Sequence, residues 1–391
     1  MNKNIIENAF IENLVKTFRR SPVQLNDLQG SDAELIQMPG SNTILAITTD
    51  ALLEEIETGM YNDPYLIGWM AIMINLSDLA AVGAEPLGLV INETLKPDLN
   101  QTYIQRLQLG ISDACSACNT YVLGGDTNFS NKIMIGGTAI GISSKKNLLT
   151  RIGCKPNDIL YSTGKLGLGN AYAFQQLLQN SSNATPDPSN IFDLSNNPTP
   201  SNNPAPSNNL TPSINAAHSN NPNSSNNPTK LNNIDYKPVA RIKDGLLIRD
   251  YASACMDTSD GFFATVDQLT RLNNVGFQIE VQPNELISPQ AINICHAFNF
   301  SPYLMLSGIH GEFELIFTVP QSEEYNLLKL FENQQSQPIR IGKVIEEKKI
   351  TVLVHGENRE VDTTSIRNCY SEFSNNITAY FNRLKSFFIN P

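Results

Sequence analysis

Acidic residues recur in this sequence where apolar runs stop. ITTD puts Asp50 after a strand-like run, NLSD puts Asp78 near the end of a helical one, GGDT puts Asp126 after YVL, and MDTSD puts Asp257 and Asp260 after ASAC; Asp32 stands in GSDAEL. A carboxylate beside apolar sequence is costly to bury unless a cation or hydrogen bonds compensate. One such residue reads as a helix cap or a turn former. Several together suggest a shared cation. No His or Cys stands directly beside any of them, so the ligands read as oxygens and the implied ion is hard, Mg²⁺ before Mn²⁺ or Ca²⁺. Magnesium held by carboxylates keeps waters and bridges to phosphates, which points to nucleotide chemistry. Thr48, Thr49, Thr127 and Ser259 add hydroxyls, and Gly124-Gly125 would let backbone come close to a phosphate. There is no GxxxxGK followed by Ser or Thr, no HRD and no DFG; Gly164, Gly167 and Gly169 form a GxxGxG that reads as a loop.

The elements that must carry these residues alternate between strand and helix patterns. Ile5 to Phe18 is an amphipathic helix, Thr43 to Thr49 a buried strand, and Asp63-Pro64 a helix start whose apolar run continues to Val82. A strand at Leu87 to Glu93, a helix at Asn100 to Cys118 and strands ending at Leu123 and Ser143 follow. After Lys155-Pro156-Asn157-Asp158 a second series begins: strand Ile159 to Thr163, a helix to Leu178, helices Arg241 to Tyr251 and Phe262 to Leu272, and strands at Val275 to Val281, Phe313 to Val319, Arg340 to Val344 and Ile350 to Val354. The fold class is α+β, with two α/β domains meeting near residue 148. Aromatic residues from Tyr370 to Phe388 are expected to dock as a C-terminal helix.

One stretch has a different composition. Residues 179–233 are mostly Asn, Ser, Pro and Thr, with a serine every six residues from Ser195 to Ser225. A β-helix needs an apolar residue in each turn, and these hexads offer Asn and Pro. The segment reads as a disordered insertion that cannot bury enough surface to offset its ordering entropy.

The charge balance, 27 Lys+Arg against 38 Asp+Glu for a net charge of -11, disfavours nucleic acid and anionic membrane as partners. No apolar run approaches the roughly 20 residues of a bilayer span, and the expected location is the cytoplasm. Six cysteines in 391 residues are too sparse for a disulfide framework; Cys115 and Cys118 form the one CxxC, and with four scattered histidines a zinc site lacks ligands.

ITTDALLE, GWMAIMINLSDLAAVGAEPLG, YVLGGDT, RIGCKPNDILYSTGKLG, MDTSDGF and FELIFTV, in this order, resemble the superfamily of aminoimidazole ribonucleotide (AIR) synthase, selenophosphate synthetase and the hydrogenase maturation factor that dehydrates a carbamoyl thiol. Within it the motifs most resemble thiamine-monophosphate kinase, from about Asp32 to Val344 and interrupted by the insertion. The resemblance implies a two-domain AIR-synthase-like fold: an N-terminal α/β domain over residues 1–147 whose sheet pairs in a homodimer, a C-terminal α/β domain over 148–365 that contains the insertion, and a C-terminal helix over 366–391. ATP and several Mg²⁺ ions would bind between the domains. Matched position by position, Asp32, Thr48, Thr49, Asp50, Asp78, Asp126, Asp257 and Asp260 would hold metal, and Gly125, Asp126, Arg151 and Ser259 would contact ATP.

Kinases of this type move the γ-phosphoryl of ATP onto thiamine phosphate. No protein nucleophile is required and none is evident, so the expectation is in-line transfer by positioning and electrostatics. The sister activities lack their marks: the first cysteine is Cys115, the chain ends SFFINP, and Asp50 is followed by Ala51-Leu52-Leu53-Glu54 where AIR synthase has a DGVGTK run. On the acceptor side the chain departs from the kinase pattern. The substrate histidine is replaced by Glu57, and the GGEDYEL run reads Ile309-His310-Gly311-Glu312-Phe313-Glu314-Leu315, leaving Gly311 and Glu312 at the substrate positions. Three readings follow: a thiamine-phosphate kinase, the same ATP chemistry on another small-molecule acceptor, or a non-catalytic nucleotide-binding scaffold.

Overall fold

A computed structural model describes residues 5–144, 146, 148–182, 233–354, 356–373 and 377–388. Apart from residues 179–182 and 233, the insertion lies outside the described residues. Five strands form a first sheet in the order β1-β2-β5-β3-β4: β1 (Glu34–Gln37), β2 (Thr43–Leu52), β3 (Glu85–Leu95), β4 (Val122–Phe129) and β5 (Met134–Ser144). Seven form a second, in the order β12-β11-β8-β10-β6-β9-β7: β6 (Ile159–Ser162), β7 (Ala254–Asp257), β8 (Gly276–Ile279), β9 (Leu315–Val319), β10 (Ile339–Ile345), β11 (Ile350–Val354) and β12 (Glu357–Glu360). With helices packed on both sheets, this is a mixed α/β architecture.

The helix Pro64–Ala81 joins the two halves. Asp63 caps it, its carboxylate accepting the Tyr65 N–H, with Pro64 at the first position. It is apolar all round because it is covered all round: it packs on β2 and β5, on the helix Gln101–Ala117, on the helix Ile242–Ile248 and on β7 of the second sheet. By length and composition alone it could cross a membrane, contrary to the expectation that no run comes close, but 83% of it is buried within the protein.

Several boundaries differ from the sequence pattern. β4 does not end at Leu123; it runs through Gly124-Gly125-Asp126 to Phe129, because parallel pairing with β3 supplies hydrogen bonds that a local reading cannot anticipate. The helix Leu168–Ser182 continues four residues into the segment assigned to the insertion. The C-terminal region holds two described helices, Thr363–Phe373 and Ile377–Ser386, where one was expected. After the insertion, residues 233–240 form an extended strap with alternate residues buried: Ile234 and Tyr236 face inward, and the Pro238 carbonyl accepts from the Trp69 indole at 2.6 Å. Trp69 is thereby a packing residue.

Candidate active site

Three of the carboxylates converge. The turn before β1 supplies Asp32, the last turn of the Pro64–Ala81 helix supplies Asp78 and the end of β7 supplies Asp257, with one oxygen of each within 4.8 Å of the others. The Asp32 side chain is fully buried; its Oδ1 accepts from Arg151 Nη2 at 3.0 Å, while its Oδ2 has no partner among the described residues. Thr48 donates to Asp78 Oδ2, Ser77 donates to Asp257 Oδ2, and the Ser259 hydroxyl donates to Asp257 Oδ1 at 2.9 Å. Burial, then the charges of Asp257 and Asp32, push Asp78 well above the usual carboxylate range. Burial, then Asp32, pushes Asp257 up as well. Burial works against the charge of Arg151, and Asp32 more than offsets it. A crowded acidic cluster with an orphaned buried oxygen is a donor set that fits a hard divalent cation.

β2 brings further residues to the rim. Thr48 and Asp50 share one face of the strand, while Thr49 projects from the other and donates to the Gly137 carbonyl at 2.8 Å. The Asp50 carboxyl is raised by partial desolvation and, against an N–H from Ala51, by the negative charge of Asp260. Asn75 holds this end of β2: its Oδ1 accepts the Asp50 N–H at 3.0 Å and its Nδ2 donates to the Asp50 carbonyl at 3.3 Å.

Asp126 stands apart. Asp50 pairs across from Gly137, Gly137 from Ile91 and Ile91 from Gly125, so Asp126 sits on the edge strand three strands away. At about 4.8 Å per strand the separation is about 14 Å. Asp126 is exposed and accepts from the Asn128 amide at 2.8 Å. Gly125 is glycine for a packing reason, since a Cβ there would lie 2.4 Å from the Ile91 carbonyl oxygen; Gly124 faces open space. A cleft of about 230 Å³ between this strand and the Gln101–Ala117 helix is lined by Gly124, Gly125, Asp126 and Thr127.

The three acceptor-side positions each have defined contacts within the fold. Glu57 is ion-paired to Lys132 at 3.0 Å. Gly311 has no room for a side chain, because a Cβ would lie 1.3 Å from the Thr258 carbonyl oxygen. Glu312 is buried, and its carboxylate accepts the Gly169 N–H at the start of the Leu168–Ser182 helix, a capping position. Beside them a small enclosed cavity of about 10 Å³, room for one water, is lined by Met60, Asn170, His310 and Tyr380.

Ser77, bonded to Asp257, is not among the ligands assigned from the acidic motifs. The signal was present: Asn75, Ser77 and Asp78 are the polar residues in the second half of a helix that is otherwise apolar. All six cysteines are buried and free, and burial pushes the thiols of Cys115 and Cys118 up to about 11 and about 12, as inert thiols require.

Residues 30–143 match the family model of the AIR synthase related protein, N-terminal domain. The thiamine-monophosphate kinase of Methanocaldococcus jannaschii is 27% identical over 342 residues, 87% of this chain and 94% of that protein, and that of Escherichia coli K12 is 27% identical over 301 residues, 75% and 76%. Among solved structures, AaThiL complexed with AMPPCP and TMP superposes with a TM-score of 0.65 at 24% identity, covering 90% of this chain and 96% of that one. The hydrogenase maturation protein HypE of E. coli gives 0.59 at 17%, covering 92% and 97%. These likenesses bear out the resemblance read from the motifs and the AIR-synthase-like fold.

Proposed function

From a chain that carries the AIR-synthase-related N-terminal domain and resembles thiamine-monophosphate kinases along most of its length, we propose an ATP-dependent kinase that phosphorylates thiamine phosphate to thiamine diphosphate. The observation that carries the reading is the convergence of Asp32, Asp78 and Asp257, from three distant parts of the chain, beside Arg151. Asp32, Asp78 and Asp257 would hold Mg²⁺, with Thr48, Asp50 and Asp260 around them. Bound there, Mg²⁺ would neutralise phosphate charge so that an anionic acceptor can approach an anionic donor. Arg151 and Ser259 would bind and orient the ATP phosphates, and Ser77 and Asn75 would keep the carboxylates and β2 in place. An oxygen of the acceptor phosphate attacks the γ-phosphorus in line, the bond to the β-phosphate oxygen breaks and ADP leaves. No side chain forms a covalent bond.

Asp126 and Gly125 lie on an edge strand whose residues, Leu123 and Phe129 among them, are exposed together with Leu87 and Val90 of β3. A long apolar edge of this kind calls for a covering partner, and a second copy of this chain is the proposed one. The cytoplasm is the proposed location, in keeping with six buried reduced thiols.

Purified protein given ATP, Mg²⁺ and thiamine phosphate should form thiamine diphosphate. A second reading, the same transfer to a different phosphate acceptor, is favoured by the ion-paired Glu57 and the side-chain-free Gly311. A panel of phosphate acceptors in the same assay separates the two, and nucleotide binding without turnover of any acceptor would point to a scaffold.

A further inference from the structure

Arg151 is held from both halves of the molecule. Its N–H donates to the Gly30 carbonyl at 3.0 Å, and its Nη1 and Nη2 reach the Gln29 carbonyl and Asp32. On the other side stands Asn273, the last residue of the helix Phe262–Asn273, which begins just after the MDTSD motif. Its Nδ2 donates to the Arg151 carbonyl at 2.9 Å and to the Leu269 carbonyl at 2.9 Å. Its Oδ1 accepts the N–H groups of Gly153 at 2.7 Å and Cys154 at 3.1 Å. Both donors and the acceptor of the amide are therefore in use, and three of the four bonds go to the segment that carries Arg151.

Besides Asn273, the segment is held by the Arg151 N–H on Gly30 and by the Thr150 hydroxyl, which accepts the Ile152 N–H and donates to the Ile152 carbonyl, both at 3.2 Å. It belongs to no strand or helix, and Gly153 sits at φ +141 with the Ser253 carbonyl oxygen 2.0 Å from where a Cβ would be, so the backbone passes too close to Ser253 for a side chain there. The Arg151 side chain also has an unpartnered buried Nε beside the carboxylate cluster. Its direction depends on where its backbone is pinned, because a long side chain multiplies a small rotation at Cα into a displacement of the guanidinium.

We propose that Asn273 is a positioning residue for the nucleotide: through the 151–154 segment it fixes the angle at which Arg151 meets both Asp32 and the phosphates of ATP. The inference rests on the reading of Arg151 as an ATP contact given under Proposed function. The side-chain bonds of Asn273 go to Arg151, Gly153, Cys154 and Leu269, so its effect on the nucleotide would pass through Arg151. The Phe262–Asn273 helix then ties two parts of the site together, Asp257 to Asp260 before its first turn and Arg151 at its last.

Two variants test this. Asn273→Ala removes all four bonds; Asn273→Asp keeps the acceptor for Gly153 and Cys154 and loses donation to Arg151, so the segment stays attached if the Ala variant fails to fold. Binding of a non-hydrolysable ATP analogue with Mg²⁺ is measured by calorimetry, and KM for ATP and for thiamine phosphate by steady-state kinetics. The expected result is a loss of roughly tenfold in analogue affinity, the lower end for an outer-shell partner, with a matching rise in KM for ATP, KM for thiamine phosphate within about twofold of the parent and an unchanged melting curve in the Asp variant. A fall in kcat alone with unchanged analogue affinity would assign Asn273 a merely structural part and overturn the proposal, as would a parent protein that binds no analogue. A parent that binds the analogue but does not turn over thiamine phosphate sinks the acceptor assignment and leaves the calorimetric test of Asn273 standing.

Discussion

The Ser77 hydroxyl donates to the Asp257 carboxylate at 2.5 Å, a bond between residues 180 positions apart that crosses from the central helix to an edge strand of the second sheet. It is one of the contacts that hold Asp78 and Asp257 within reach of one ion. Burying like charges together costs free energy that only a cation returns in full.

Replacing Asp257 by Asn should lower kcat by about a hundredfold or more, since the neutral amide removes a charge from the proposed magnesium site while filling the same volume. Ser77→Ala should cost much less, roughly tenfold. Steady-state rates across a Mg²⁺ titration check both, and equal effects would mean that Asp257 serves only to pair with Ser77.

Magnesium affinity should fall as pH falls. Burial and mutual repulsion raise Asp78 and Asp257, so protons compete with the cation for the same oxygens and binding releases them. Calorimetry in buffers of different ionisation enthalpy should show proton release, with affinity weaker at about pH 6 than at about pH 8. Affinity independent of pH would place the ion elsewhere.

Leu123, 56% exposed on β4, should matter for assembly and not for folding. Leu123→Asp is expected to convert a dimer to a monomer in light scattering with little change in melting temperature. A parent protein that is already monomeric at micromolar concentration would remove the basis for the paired sheets.

Burial pushes His310 down to about 4, so it is neutral in the folded protein while the unfolded chain protonates near 6.5. The unfolded state then binds more protons between those values, and stability falls as pH drops from about 6.5 to about 4, by at most about 3 kcal/mol. Denaturant melts of His310→Asn should show a flatter dependence across that window.

Gly311→Ala should destabilise by roughly 3 kcal/mol or more, because its Cβ would overlap the Thr258 carbonyl. The backbone cannot give way easily: the Gly311 N–H donates to the Ser259 carbonyl at 2.9 Å and its own carbonyl accepts from Tyr236 at 2.6 Å. An alanine variant with the parent's melting point would show that this turn has slack.

By itself the sequence determined the inventory. Oxygen ligands without His or Cys specify a hard ion, the motif order specifies the family resemblance, and periodicity places β2, the Pro64–Ala81 helix and the Phe262–Asn273 helix within a few residues. These properties are local, written in residue type and spacing. Only the tertiary structure decided which carboxylates share a site, because distances between Asp32, Asp78, Asp257 and Asp126 depend on how two sheets and one helix pack, and pairing between strands has no signature within either strand. It also sets Gly311 against the Thr258 carbonyl and gives Glu312 the Gly169 N–H to accept. Whether a side chain faces a ligand or its own fold is set by neighbours that lie far away in the chain.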